Sequence, residues 1–199
     1  MAKLYFSYAA MNAGKSTMLL QAAYNYQERG MRALLMTSSL YAESGVGMIR
    51  SRLGVASEAE TFGLEDDLYD RIREHTLAGK VDCVFVDEAQ FLTGEQVWQL
   101  ARVSDRLKIP VMTFGLRTDF QGKLFPGSMA LLAIADELRE IRTICHCGSK
   151  ATMVVRQDMQ GRTILEGSQV SIEKSVYVSL CRKHWEEETH RWPVTKAPT

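Results

Sequence analysis

Ala9-Ala10-Met11-Asn12-Ala13-Gly14-Lys15-Ser16-Thr17 follows a short apolar strand pattern, Leu4-Tyr5-Phe6-Ser7-Tyr8, and opens a helical pattern that runs to Arg29 before Gly30. A Gly-Lys-Ser stretch between a strand and a helix is the context of a phosphate-binding loop. Backbone N–H groups of such a loop, together with the helix N-terminus, point toward phosphate oxygens. Lys15 is placed to reach the terminal phosphates and Ser16 to hold Mg²⁺. The first glycine of the usual pattern falls on Ala9, which serves as long as φ there is negative.

Working outward, Cys83-Val84-Phe85-Val86 is a continuous apolar run, the mark of a strand buried on both faces. Asp87 ends that run, where a carboxylate can sit beside the loop and help hold Mg²⁺. Glu88, one residue on, is the candidate general base; the alternative is a surface acid flanking a helix. Arg32–Thr37, Pro110–Phe114 and Ile141–Ile144 read as further strands. Glu65–Ala78 and Met129–Glu137 read as helices, and Thr93 with Gln96 forms a capping box for a helix to Leu107. Residues 38–60 have no clear period and hold three glycines, the pattern of a mobile loop. Alternating strands and helices predict a mostly parallel sheet covered by helices. We place a domain boundary at residue 143, a small second domain over 144–192 and a loose tail over 193–199.

Lys plus Arg and Asp plus Glu are both 24, so the formal net charge is zero. A protein built to coat nucleic acid carries a basic surplus, so no nucleic-acid partner is expected. With 46% hydrophobic residues in 199, the chain has enough for a core. No signal-peptide pattern follows Met1, and the longest apolar run, Met129–Ala135, is too short for a bilayer. We therefore expect a cytoplasmic protein without a membrane partner.

In that compartment, four cysteines read as thiols or metal ligands. Cys145-His146-Cys147 and Cys181-Arg182-Lys183-His184 supply a Cys₃His set, the composition of a closed structural zinc site. The ligands are Cys145, Cys147, Cys181 and His184, in a ribbon-like unit. His146 is a competing ligand, although neighbouring residues seldom both point inward. Cys83 reads as a core thiol.

Taken in order, the loop at 11–17, Tyr24-Asn25-Tyr26-Gln27-Glu28-Arg29-Gly30, Val86-Asp87-Glu88-Ala89-Gln90-Phe91-Leu92, Gly115-Leu116-Arg117-Thr118-Asp119-Phe120, Leu124-Phe125 and both cysteine knuckles resemble the cellular-type (type II) thymidine kinase family, in its bacterial branch. The resemblance covers roughly residues 3–185. It implies a P-loop, RecA-like α/β domain with helices on both faces of a mostly parallel sheet, and a zinc-bearing lasso domain. It implies ATP, Mg²⁺ and a nucleoside as ligands and a homotetramer as the assembly. It assigns Glu88 as the base for a 5′-hydroxyl. It places Ala9, Ala10, Met11, Asn12, Ala13, Gly14, Lys15, Ser16, Thr17, Asp87 and Gln90 around the nucleotide, and Leu116, Phe120, Phe125 and Tyr177 around thymine. The other reading of Phe120 and Phe125 is plain core.

The sequence departs from the family at two places. An Asp-x-Arg after the second strand is replaced by Tyr41-Ala42-Glu43, with Arg50 and Arg52 as candidate substitutes. A Gly-Gly turn before the lasso tyrosine is replaced by Glu173-Lys174, which predicts a broader nucleoside range. Two readings compete with the kinase. One is a DExx-type nucleic-acid-dependent ATPase, suggested by Asp87-Glu88-Ala89-Gln90. The other is a kinase-like binding module without activity.

Overall fold

The computed structural model describes residues 1–41, 47–169 and 175–190. They form two compact units. The first comprises Met1–Ala9, Ala13–Arg117 and Leu124–Ile141; the second takes Ala10–Asn12, Thr118–Lys123 and the described residues from Arg142 onward. Short pieces on either side of residue 120 and within the phosphate loop thus group with the C-terminal part of the chain.

In the first unit the elements run β1 (Leu4–Ala9), α1 (Lys15–Glu28), β2 (Ala33–Ser38), β3 (Gly47–Arg50), β4 (Ala56–Phe62), α2 (Leu68–Ala78), β5 (Cys83–Val86), α3 (Gly94–Arg102), β6 (Val111–Leu116), α4 (Pro126–Ile134) and β7 (Glu137–Glu140). Among the described residues, the seven strands make one sheet in the order β3-β4-β2-β5-β6-β1-β7. All its pairings are parallel except that of β3 with β4. Side chains alternate across each strand, and this alternation builds two cores. Phe6, Met36, Val84 and Val86 pack with Leu68 and Ile72 of α2, Leu100 of α3 and Leu131 of α4. Leu35, Cys83, Phe85 and Phe114 pack with Leu19, Leu20 and Ala23 of α1. Helices therefore cover both faces, which is why β5 is apolar at every position. Burial pushes the Cys83 thiol up to about 12, as befits a core thiol.

Three segments depart from the sequence reading. Residues 47–62 form a β3–β4 hairpin, most of it within the 38–60 stretch that reads as a mobile loop. Its turn is closed by Ser51 N–H donating to Val55 at 2.8 Å, with Gly54 at φ 88°. A Cβ on Gly47 would lie 2.6 Å from the Ala59 carbonyl oxygen and 2.8 Å from Thr61 Cγ2, so glycine is what lets this edge strand close. The helix expected over 129–137 begins earlier, with Pro126 at its first turn, and ends at Ile134. Residues 137–140 instead extend the sheet beside β1, where Lys3 pairs with Glu137 at 2.7 Å. The capping box holds as read, but α3 loosens into a π-turn over Val103–Leu107.

The second unit contains β8 (Thr143–Ile144), β9 (Lys150–Ala151), β10 (Met153–Gln157), β11 (Thr163–Ile164), β12 (Val176–Leu180) and α5 (Arg182–Thr189). β10 is flanked by β11 and β12, and β8 pairs with β9. Its core is small: Cys145, Ala151, Val155 and Leu180, with Val178, Cys181 and Trp185 packed against them. The tail expected over 193–199 and the Glu173-Lys174 departure lie outside the described residues, as do Ala42 and Glu43. Among the described residues, no helix is long and apolar enough to cross a membrane.

Candidate active site

Parallel strands bring the ends of β1 and β5 to the same edge of the sheet, the edge where α/β folds bind ligands. Ala9 closes β1 opposite Leu116 and is not among the positive-φ residues, so its methyl group is accommodated without strain. The left-handed positions of the loop fall instead on Asn12 (φ 61°) and Gly14 (φ 84°), residue types that tolerate them. Gly14 caps α1 with no side-chain bond. Lys15, Ser16 and Thr17 form the first turn of α1, and the N–H groups of a helix start suit a phosphate. Ala10, Met11 and Ala13 are half-buried and Asn12 is exposed.

The Ser16 hydroxyl donates to Asp87 Oδ2 at 2.7 Å. A hydroxyl and a carboxylate are hard oxygen donors suited to Mg²⁺, so the pair fits the ion. Lys15 is buried, and burial holds it below the ordinary lysine range against the opposing pull of Glu88 and Asp87. Burial likewise pushes Asp87 above the usual carboxylate range, opposed by the Ser16 hydroxyl, the Glu88 N–H and Lys15.

Glu88 sits at φ 54°, a left-handed conformation that costs a non-glycine residue about 1 kcal/mol or more and recurs at functional sites. The chain turns here directly after β5, and Glu88 N–H donates to Asp87 Oδ1 at 3.0 Å. Burial and the Asp87 carboxylate push Glu88 above the ordinary glutamate range; Lys15 and Gln90 act the other way. Gln90 is 1% exposed and uses both ends of its amide within the protein. Its Nε2 donates to Glu88 Oε2 at 2.5 Å, and its Oε1 accepts from Leu116 N–H at 2.9 Å. A Cβ on Gly115 would lie 2.9 Å from Gln90 Oε1. The dipeptide Gly115-Leu116 thus makes room for Gln90 and then supplies its donor, a role that sequence reasoning missed.

Of the four candidate nucleoside residues, Leu116 and Phe125 belong to the first unit and Phe120 and Tyr177 to the second. Leu116, Phe120 and Phe125 are buried, and Tyr177 is half-buried. Phe125 meets Phe91 edge-on at 5.8 Å between centroids. Within the second unit, Asn12 Nδ2 donates to the Tyr177 carbonyl at 3.2 Å and the Ser179 hydroxyl donates to that of Met11.

Cys145, Cys147, Cys181 and His184 bring one donor atom each within 4.8 Å of one another. His184 Nδ1 lies 3.3 Å from Cys145 Sγ and 3.4 Å from Cys181 Sγ, and the sulfurs of Cys147 and Cys181 are 4.0 Å apart. A zinc tetrahedron with ordinary bond lengths has edges of about 3.6 Å between S and N and about 3.8 Å between two sulfurs. The cluster fits that ion. His184 Nε2 faces Glu187 at 3.7 Å, the kind of outer carboxylate that orients a ligating imidazole. His146 is exposed and outside the set, stacked on His184 at 4.2 Å between centroids.

This sheet edge and its loop place the chain among the P-loop nucleotide-binding proteins. A family model described as thymidine kinase matches residues 2–185. Similar proteins include the thymidine kinase of Mesorhizobium japonicum, 65% identical over 191 residues that cover 96% of this chain and 94% of that one. That of Rhizobium meliloti is 65% identical, covering 94% of this chain and 97% of its own. That of Haemophilus influenzae is 53% identical, covering 94% and 98%. The chain belongs to the thymidine kinase family.

Gln90→Leu removes the acceptor for Leu116 N–H, and an unpaired buried N–H costs about 1–3 kcal/mol. Urea denaturation is expected to show a loss of stability in that range; an unchanged midpoint would contradict the bonding described.

Proposed function

We propose that this protein transfers the γ-phosphoryl group of ATP to the 5′-hydroxyl of thymidine, yielding thymidine monophosphate and ADP. The observation that carries the reading is the Ser16–Asp87 hydrogen bond, with Glu88 one residue on, in a chain of this family. Loop N–H groups and Lys15 hold the phosphates and meet the charge that develops on the transferring group. Ser16 and Asp87 hold Mg²⁺, which when bound neutralises phosphate charge. Glu88, steadied by Gln90, takes the 5′-hydroxyl proton as that oxygen attacks phosphorus and the ADP oxygen leaves. Retention of Lys15, Ser16, Asp87 and Glu88 together supports activity over a module that has lost it.

Leu116, Phe120, Phe125 and Tyr177 are proposed to bind the thymine base, on the strength of their motif matches. Apolar and aromatic walls suit a methylated pyrimidine. Cys145, Cys147, Cys181 and His184 are proposed to hold one structural zinc ion; four protein ligands leave no open position for chemistry. A homotetramer in the cytoplasm, acting on small molecules without nucleic acid, completes the reading.

Glu88→Gln tests the mechanism. It is expected to lower kcat by about 10²–10⁴-fold while ATP still binds. Because burial and the Asp87 carboxylate raise the Glu88 carboxyl, wild-type kcat is expected to fall on acidification through a pH above the ordinary glutamate range. Lys15 and Gln90 temper that shift. The variant loses this acid limb; an unchanged kcat at every pH removes Glu88 from the mechanism.

Metal analysis of protein purified without chelators is expected to give one zinc per chain, and none for Cys181→Ser. The second unit has too small a core to fold on burial alone, so its amides exchange faster in the variant. Zinc-free wild-type protein would contradict the assignment.

A further inference from the structure

Phe120 lies in a six-residue piece, Thr118–Lys123, that groups with the metal-cluster unit although it follows a strand of the first. Asp119, 2% exposed, folds this piece on itself. Its Oδ1 accepts from the N–H groups of Gln121 at 2.9 Å and Lys123 at 2.8 Å, and its Oδ2 from Gln169 Nε2 at 2.8 Å. That network shapes the loop, and a second contact anchors it. Trp185 Nε1 donates to the Phe120 carbonyl at 3.2 Å and to the Val154 carbonyl of β10 at 3.0 Å. The indole ring also lies against Gly122, where an added Cβ would sit 3.3 Å from its Cη2 and Cζ2 atoms. Trp185 follows His184 on α5, whose first turn starts from Cys181. One helical turn therefore sends one side chain to the Cys₃His cluster and the next to the loop that carries Phe120.

We propose that Trp185 is a positioning residue for the nucleoside site: it ties the Phe120 loop to β10 and to the helix bearing the metal cluster, and so sets where the Phe120 ring meets the base. The proposal rests on the reading of Phe120 as a thymine-pocket residue. An indole N–H is a donor only and needs an acceptor when buried, and here it bridges two carbonyls of different elements. The cluster thereby acts on substrate affinity through packing, with no part in the phosphoryl transfer itself. Arg156, whose guanidinium carbon lies 5.5 Å from the centroid of the Phe120 ring, supports the ring from another side.

Trp185→Phe keeps an aromatic ring and deletes the donor. A net hydrogen bond of about 0.5–1.5 kcal/mol corresponds to roughly a 2- to 12-fold change in an equilibrium constant. KM for thymidine is expected to rise by that factor, with kcat, KM for ATP and one zinc per chain retained. Amides of residues 118–123 are expected to exchange faster. Gly122→Ala, whose added Cβ presses on the indole and whose φ of 77° strains the same loop, is a second variant expected to raise the same KM. Phe120→Ala separates the two claims. If it raises KM for thymidine and neither Trp185→Phe nor Gly122→Ala does, the anchoring role is overturned and the pocket reading stands. If Phe120→Ala leaves KM unchanged, the pocket reading fails and the proposal with it. A fall in kcat equal to the rise in KM, or loss of zinc from both variants, would mark Trp185 as plain core and overturn the proposal.

Discussion

The hydrogen bond from Ser16 to Asp87 joins the start of one helix to the end of a strand two positions away in the sheet. It sets the two oxygen donors of this edge side by side. Parallel pairing of β1, β6 and β5 points their C-terminal ends to the same edge of the sheet, and an all-apolar β5 buries the strand so that its first polar residue emerges where that strand ends. The carboxylate is held almost entirely out of water, which raises its affinity for a proton or a cation. The same burial lowers the preference of Lys15 for its charge. On the proposed reading, phosphates and a divalent ion would complete this site, their charges offsetting those of the protein groups.

Glu88 is held differently. Its backbone is left-handed, and its carboxylate is steadied by an amide that is itself pinned to the end of β6. The side chain of Gln90 thus links the end of β5 to that of β6, at a point where Gly115 alone gives it room. A base that must sit within hydrogen-bond reach of a hydroxyl gains from such restraint, because misplacement by an ångström costs orders of magnitude in rate. Close packing holds the turn that carries Glu88. Gly127 of α4 reinforces it from behind: an added Cβ there would lie 2.5 Å from the Ala89 carbonyl oxygen.

Much of this was legible in the sequence, for local reasons. Gly14-Lys15-Ser16, the apolar run of β5 and the Thr93–Gln96 capping box each declare themselves within a few residues, since helix starts and doubly buried strands depend on neighbours in the chain. The Cys₃His cluster was legible because cysteines in short knuckles with a histidine close by have few other uses. The β3–β4 hairpin was not, because β4, Ala56–Phe62, lies next to the sheet edge, is buried only at Phe62 and shows no apolar period; its register depends on Gly47 meeting residues of two other strands. Glu137–Glu140 carries good helix formers, yet pairing with β1 outweighs that preference. The attachment of the Phe120 loop to the C-terminal unit rests on Trp185, 65 residues from Phe120, and on Gln169, 50 residues from Asp119, and no local pattern announces it.

This sheet edge is proposed to transfer phosphate to a nucleoside. The most direct measurement is to incubate the purified protein with γ-labelled ATP, Mg²⁺ and thymidine, and to identify the labelled product by chromatography and mass spectrometry, with Lys15→Ala in parallel. The account predicts label in thymidine 5′-monophosphate, formed one for one with ADP and nearly absent with the variant. Release of inorganic phosphate alone, stimulated by DNA or RNA and with no labelled nucleotide, would contradict it.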